Sequence, residues 1–367
     1  MSLKMFGPIG NFFGLGNNLL SRAVNEIRRC APVILHEDDK YLLVFASELL
    51  EEPSLAVFKS FSDNVYILLT AQRASYVTTH DKLSRVGANT LSLADIRTLM
   101  SGLPEEARSV PVEEGSSPLD SLAIDLVKMA KLLPSALVID MGFGNIEEMY
   151  DWCKCNGILH LAGKALTDYT QEYVLQEVCR SDLYLQDSLK SKIIVYRSKI
   201  GEPEHYAIVI GEPAIENIVV RLHSSCYTGD LLGSLSCDCR SQLLTAVKLL
   251  AEQVGGIILY ISQEGRGIGL ANKIRAYSLQ MQNSLDTVDA NRFLGFDDDE
   301  RIFLPAAMIL RNLGVSSLQL LTNNPHKVQE IGKYGFDVTK TIPFHMEINE
   351  YNGNYIKTKQ TRLGHTN

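Results

Sequence analysis

Gly255-Gly256-Ile257-Ile258-Leu259-Tyr260-Ile261-Ser262-Gln263-Glu264-Gly265-Arg266-Gly267-Ile268-Gly269 is the stretch that decides the fold of the second half of this chain. Its opening run, Gly255 to Ile261, is continuously apolar and predicts a buried strand. Glu264 to Gly269 is a glycine-rich turn, and Ala271 to Gln282 has the apolar spacing of a helix. A strand, a turn and a helix in succession point to an α/β arrangement. Glycines let a backbone approach a ligand closely, and a helix N-terminus favours anions. The three-glycine spacing is not that of the dinucleotide fingerprint, so taken alone it is only a glycine-turn signal. Arg266 adds a permanently charged fork suited to a phosphate or a purine face.

Working outward, Lys192 to Arg197, His205 to Ile210 and Ile218 to Leu222 read as strands and Ser241 to Gln253 as a helix. After the glycine turn come a helix over Leu304 to Leu313 and a strand, Leu318 to Thr322, that ends in Asn323-Asn324-Pro325. Toward the N-terminus, Asn17 to Arg29, Leu119 to Leu133 (ended by Pro134) and Ile146 to Cys155 read as helices. Pro32 to His36, Tyr41 to Ala46, Asn64 to Thr70, Ala136 to Ile139 and Ile158 to Leu161 read as strands. Leu103 to Pro118 is polar and reads as a loop, and Thr167 to Leu185 is expected to be a connecting helix. The expected fold class is α/β (α+β), with two domains, 1–172 and 173–367, each a mixed sheet packed with helices.

A chain of 367 residues suits two such domains, and 46% hydrophobic with 21% charged residues is a globular composition. A formal net charge of −8 argues against a general binder of nucleic-acid polymers and leaves room for a single nucleotide in a local basic pocket. Met1 to Leu20 has no secretory h-region, and no apolar run approaches the roughly 18 residues of a membrane span. A cytoplasmic protein is therefore expected. In a reducing compartment, the seven cysteines (Cys30, Cys153, Cys155, Cys179, Cys226, Cys237, Cys239) point to metal before disulfides.

Cys226, Cys237 and Cys239 form a C-x10-C-x-C pattern inside a segment of small polar residues. Three protein ligands with one open position is the arrangement of a catalytic zinc site. The bland alternative is three unrelated thiols. Cys153 and Cys155, at a predicted helix end with no third ligand nearby, read as packing residues. Arg221, Lys273, Arg275, Arg301 and Lys327 are cations near turns or strand ends, each by itself a solvated surface charge. Asp297-Asp298-Asp299-Glu300-Arg301 reads as the acidic first turn of the following helix. Alternatively, a carboxylate beside a guanidinium there handles water or a proton.

Several segments together, in order, resemble GTP cyclohydrolase II. They are Arg221 to Asp230 (Arg-Leu-His-Ser-Ser-Cys-Tyr-Thr-Gly-Asp), Cys237-Asp238-Cys239, Gln263 to Leu270, Asn272 to Tyr277, Leu294-Gly295-Phe296, Asp299-Glu300-Arg301 and Leu321 to Pro325. Lys357-Thr358-Lys359 and Leu363-Gly364-His365 close the series. The resemblance covers about Ser181 to Asn367. It implies one zinc per chain on Cys226, Cys237 and Cys239, with zinc activating the water that attacks C8 of guanine. It further implies Tyr277 in the ring chemistry, Asp299 as proton acceptor, and Arg301 at the α-phosphorus, where charge stabilisation is chemically easier for an arginine than nucleophilic attack. Arg221, Leu222, His223, Ser224, Ser225, Gln242, Glu264, Gly265, Arg266, Thr287, Thr322 and Lys327 match GTP-binding positions. Mg2+ is expected on the triphosphate, and a homodimer by analogy. Two positions depart from the family pattern: Ser225 stands where Glu is usual, and Ser236 where Arg is usual.

Ala23 to Ala46, Ile124 to Ile139 and Leu166 to Tyr169 resemble parts of 3,4-dihydroxy-2-butanone-4-phosphate synthase, the domain that precedes the cyclohydrolase in bifunctional riboflavin-biosynthesis proteins. The synthase's acidic metal-binding loop is missing, since Asp38-Asp39-Lys40-Tyr41-Leu42 runs straight into a strand. Its Gly-His-Thr-Glu segment is replaced by Pro118-Leu119-Asp120-Ser121. The expectation is a degenerate, inactive synthase domain ahead of a zinc-dependent GTP hydrolase. The alternatives are a paralogue acting on another purine or pyrimidine nucleotide, or a nucleotide sensor without turnover.

Overall fold

The computed structural model describes residues 15–78, 80–103, 112–113, 117–199, 201–253, 255–283, 285–343 and 350–364. Most of the polar loop expected over Leu103 to Pro118, and His365, lie outside them. The chain divides into two compact units, Met1–Tyr173 with Asn291–Asp298, and Val174–Ala290 with Asp299–Asn367. Each is a seven-stranded mixed sheet packed with helices, the expected fold class. No helix of the described residues is long and apolar enough to cross a membrane.

In the first unit β1 (Val33–Glu37), β2 (Lys40–Ala46), β3 (Val65–Leu69), β4 (Ser84–Gly87), β5 (Val112–Glu113), β6 (Ser135–Met141) and β7 (Leu159–Ala162) lie in the order β5-β4-β3-β6-β2-β1-β7. The apolar runs of β2, β3 and β6 put Leu43, Phe45, Ile67, Leu69, Leu137 and Ile139 into one core with residues of the covering helices. Each fully buried aliphatic side chain contributes about 1.5–3 kcal/mol. Cys153 packs in this core with its sulfur 3.5 Å from Met149 Sδ, but Cys155 is exposed, so only one of that pair is a packing residue.

Residues Asn291–Asp298 belong to the first unit although they follow most of the second in sequence. A single side chain accounts for much of that. Arg73, 2% exposed, donates to the carbonyls of Leu99 (2.7 Å), Thr98 (2.8 Å), Gly102 (2.6 Å) and Phe293 (3.0 Å). Its guanidinium also lies 4.6 Å from the Phe293 ring centroid. Thr70, the N-cap of the helix Ala71–Val77, donates its hydroxyl to the Gly295 carbonyl at 2.8 Å. Burial pushes Arg73 down to about 10, still charged at neutral pH.

The second unit contains β8 (Leu175–Leu185), β9 (Ser188–Ser198), β10 (His205–Ile210), β11 (Ile218–Ser224), β12 (Gly256–Ile261), β13 (Ser317–Leu321) and β14 (Asp337–Ile342), in the order β14-β13-β11-β12-β10-β9-β8. The expected helix over Thr167 to Leu185 is replaced by two four-residue helices, Lys164–Thr167 and Tyr169–Glu172, and by β8. Most of β8 is exposed, Tyr184 at 77%, so neither a helical nor an alternating apolar pattern is written into it. Its antiparallel pairing with β9 decides its state. β11 pairs in parallel with β12 and with β13, and β13 with β14, so these four strands end on one edge of the sheet. The helix Cys239–Glu252 packs Ala246, Val247 and Leu250 against Ile210, Ile258 and Leu321.

Replacing Arg73 with Met would take a donor from four carbonyls, two of them on the buried Leu99 and Phe293, and should cost about 3 kcal/mol. Urea unfolding of the full chain reads this, and a loss below about 0.5 kcal/mol would refute it. His205, which opens β10, gives a pH prediction. Its Nδ1 accepts the Ser262 N–H at 3.1 Å, and burial brings it from 6.5 down to about 4. The unfolded chain takes up a proton below pH 6.5 while the folded chain does not until about 4. Stability is therefore complete above pH 6.5 and falls through that window, by about 2 kcal/mol at pH 5. His205→Asn should flatten the slope between pH 7 and 5.

Candidate active site

The loops that follow β11, β12 and β13 open from the shared edge of the second sheet. β11 leads by way of the helix Cys239–Glu252 to its neighbour β12, whereas β13 leads to β14 on the other side. Connections that diverge from adjacent parallel strands leave a crevice at their carboxyl ends, which is where α/β sheets bind ligands. The site residues expected from sequence gather there.

After β11, Cys226 caps a π-turn over Tyr227–Leu231, and its sulfur accepts the Gly229 N–H at 3.3 Å. Cys237 precedes the helix that starts at Cys239. The two sulfurs of Cys226 and Cys237 are 3.7 Å apart, and all three cysteine sulfurs lie within 4.8 Å of one another. Such a group could hold a metal ion. Thiol donation from Cys237 and Cys239, then from Lys273, holds Cys226 far below the ordinary thiol range, while Cys239 is pushed up by its two neighbours. Gly229 makes the cluster possible. A Cβ there would stand 2.7 Å from Cys237 Sγ and 3.0 Å from Cys226 Sγ.

His223, Asp230 and Tyr260 support this loop. His223 Nε2 is 3.1 Å from both Asp230 oxygens, the Tyr260 hydroxyl donates to Asp230 at 2.9 Å, and the Cys226 N–H does so at 3.0 Å. The His223 and Tyr260 rings stack at 5.4 Å. Burial lowers the histidine despite Asp230. A neutral ring donating from Nε2 leaves Nδ1 as an acceptor, and Nδ1 is buried without a hydrogen-bond partner among the described residues.

The glycine turn is a 3-10 turn, Glu264–Gly267, in which Arg266 takes φ +59°, a left-handed conformation uncommon for a side-chain-bearing residue. Gly267 is obligatory, because a Cβ would lie 2.4 Å from the Glu300 carbonyl oxygen. The Glu300 N–H bonds back to the Arg266 carbonyl at 3.1 Å. This contact seats Asp299 and Arg301 beside the turn. The helix after the acidic run starts only at Leu304, so Asp297 to Arg301 is not a helical first turn. Instead Arg301 donates to Asp299 from Nε at 2.7 Å and from Nη2, and its Nη1 lies 3.5 Å from Ser224 Oγ. Burial opposes ionisation of Asp299, but hydrogen bonds from Arg301, with Arg266 nearby, hold it below the ordinary carboxylate value.

Three cations taken singly as surface charges are buried: Arg221, Lys273 and Lys327. Arg221 donates to the Leu321 carbonyl at 3.1 Å and to Gln242, whose amide donates to Asp238 at 3.0 Å. Burial brings Arg221 down to about 10. Lys327 Nζ donates to the Leu222 carbonyl at 2.7 Å. Thr322 accepts the Asn324 N–H at 3.0 Å, and Asn324 caps the helix Pro325–Lys333. Ser225 donates its N–H to the Ile261 carbonyl at 2.9 Å. The Tyr277 ring centroid is 5.7 Å from Lys273 Nζ. Thr287 opens the helix Thr287–Phe293 and takes part in none of these bonds. Asp230, Thr228 and Tyr260 escaped notice as supports. Asp230 and Thr228 sit inside the quoted motif, but nothing in one sequence separates a support from a ligand contact.

The family model for GTP cyclohydrolase II matches residues 178–343, the span that holds all these residues. GTP cyclohydrolase-2 of Xylella fastidiosa is 36% identical over 348 residues, which is 94% of this chain and 86% of that protein. The chain belongs to the GTP cyclohydrolase II family. That makes it a hydrolase of a family tied to riboflavin biosynthesis. GTP cyclohydrolase-2 of Azospirillum brasilense is 39% identical over 72% of this chain and 68% of its own length. Riboflavin biosynthesis protein RibBA of Thermotoga maritima is 47% identical over 174 residues, 47% of this chain and 44% of its own. A solved two-domain 3,4-dihydroxy-2-butanone 4-phosphate synthase from A. baumannii aligns with 89% of this chain and 99% of its own at 16% identity, and its TM-score of 0.34 carries no argument.

Gly229→Ala should weaken metal binding at the three cysteines by about tenfold or more, because the added methyl occupies the space between their sulfurs. Chelator competition measures this. Gly332→Ala, at a helical position with nothing within 4 Å, is the control and should bind as wild type. Equal affinity in both variants would remove the steric argument.

Proposed function

We propose that the chain is a working GTP cyclohydrolase II. It hydrolyses GTP with loss of formate and pyrophosphate to 2,5-diamino-6-(5-phosphoribosylamino)pyrimidin-4(3H)-one, the first step of riboflavin biosynthesis. The observation that carries this reading is the gathering of the three thiols, the Asp299–Arg301 pair and the buried cations Arg221 and Lys327 at the carboxyl ends of β11 and β13.

The donor set fits zinc. Two sulfurs of a tetrahedral zinc site, each about 2.3 Å from the metal, stand about 3.8 Å apart, close to the 3.7 Å between Cys226 and Cys237. Three thiolates leave one coordination position, so bound zinc would supply a water of lowered pKa and polarise the ring under attack. This chain's own residues do the rest. Asp299, ionised and half-buried beside Arg301, takes up a proton near the ring. Arg301 has two of its nitrogens on Asp299, which supports a charge-stabilising role at the α-phosphate over nucleophilic attack. Arg221 and Lys327 supply fixed positive charge for the triphosphate, which Mg2+ would accompany. The Nδ1 of His223, buried without a partner among the described residues, is an acceptor that a substrate N–H or a water would satisfy. Tyr277, one helical turn from Lys273, is assigned to the ring chemistry.

The first unit is read as a degenerate synthase domain without synthase activity. Between β1 and β2 stand only Asp38 and Asp39, with Glu37 opposite Lys40, leaving no acidic metal-binding loop. The relative that aligns over 94% of the chain carries the name of the cyclohydrolase alone. A homodimer is proposed by family analogy. Ser225 and Ser236 favour one other reading, a family member acting on a different nucleotide.

Purified zinc-loaded protein with Mg2+ and GTP should release formate, pyrophosphate and the pyrimidine product in equal amounts. Folded protein holding one zinc per chain that releases none of them would move the assignment to another nucleotide. Tyr277→Phe should slow formate release more than pyrophosphate release, and equal loss of both would cancel its role.

A further inference from the structure

We propose that Lys273 is a positioning residue that ties the metal-binding loop to the glycine turn, donating to the Cys226 sulfur and the Glu264 carboxylate at once. Lys273 lies on the helix Leu270–Asn283, four residues before Tyr277, and is 9% exposed. Its Nζ is 3.0 Å from Cys226 Sγ, 2.9 Å from Thr228 Oγ1 and 2.9 Å from Glu264 Oε1. An ammonium has three N–H donors, so these three acceptors saturate it. Two of them come from the loop after β11 and one from the turn after β12.

Glu264 completes the tie. Its Oε2 accepts the N–H of Tyr227 and its Oε1 that of Gly265, at 3.0 Å for the latter. Both carboxylate oxygens are thus engaged by donors of the chain itself, so the carboxylate serves first to hold the two loops together. Charge explains why the brace is a lysine. Three thiolates around a divalent cation sum to −1, and Glu264 adds another negative charge in the same half-buried space. A neutral side chain at 273 would remove the positive charge that contacts Cys226 and Glu264, which is costly away from water. A donor to a ligating sulfur also sets the ligand's orientation and its electron donation to the metal.

This inference rests on the zinc reading, so zinc uptake by the wild-type full chain is measured first, by chelator competition. A wild-type chain that takes up no zinc overturns that reading and the proposal with it. Given zinc binding, Lys273→Met should lower zinc affinity by about 10–100-fold. It should also shift the sulfur-to-metal charge-transfer band of the cobalt-substituted protein, a readout independent of turnover. Wild-type affinity with an unmoved band in a folded Lys273→Met protein overturns the proposal. Should that variant lose cooperative melting, Lys273→Gln carries the same two readouts, since its shorter amide side chain keeps N–H donors and loses the charge. A severalfold loss of affinity in Lys273→Gln supports the proposal, and wild-type values overturn it.

Discussion

The parallel hydrogen bonding of β11 to both β12 and β13 is the constraint on which the site depends. Parallel neighbours end on the same edge, so three loops distant in sequence are delivered to one place: Ser224 to Leu231, Gln263 to Gly269 and Thr322 to Lys327. Because β11 and β13 hand on to partners on opposite sides, the crevice between them cannot be filled by either connection. Arg221, inside β11, and Lys327, after β13, each reach a main-chain carbonyl of the other strand's end and so line that crevice from both walls.

Electrostatics then separates this edge from an ordinary surface. Burying a cation is unfavourable unless hydrogen bonds satisfy it. Arg221 and Lys327 bond chiefly to neutral acceptors, whereas Arg301 is matched to Asp299. The latter is an internally balanced pair that keeps a carboxylate ionised at low solvent exposure.

The first unit has its own example of a charge held by carbonyls. Arg73 satisfies its guanidinium on main-chain oxygens, one of them from Phe293, and thereby makes residues 291–298 part of a unit far away in sequence. By contrast, Arg85 on β4 is bound by carboxylates, Asp120 at 2.7 Å and Asp140. This cluster closes on itself, with Arg85 satisfied by carboxylates on the helix Pro118–Met129 and on β6.

The sequence by itself determined most elements and singled out the three cysteines whose sulfurs the fold brings together. Apolar runs such as Ile257-Ile258-Leu259 announce buried strands because both faces must be covered. Cysteine spacing announces a metal site because two ligands separated by one residue already share a surface. The exposed β8 ribbon was invisible for the converse reason: side chains that face water carry no periodicity, and its state comes from pairing with β9. Only the tertiary structure decided which cations are buried, because burial of Arg221, Lys273 and Lys327 is set by neighbours about a hundred residues away or by the closing of separate loops on each other. Likewise, the bonding of Glu264 to the chain's own donors and the capture of residues 291–298 by Arg73 are long-range hydrogen bonds, which no local pattern of residues records.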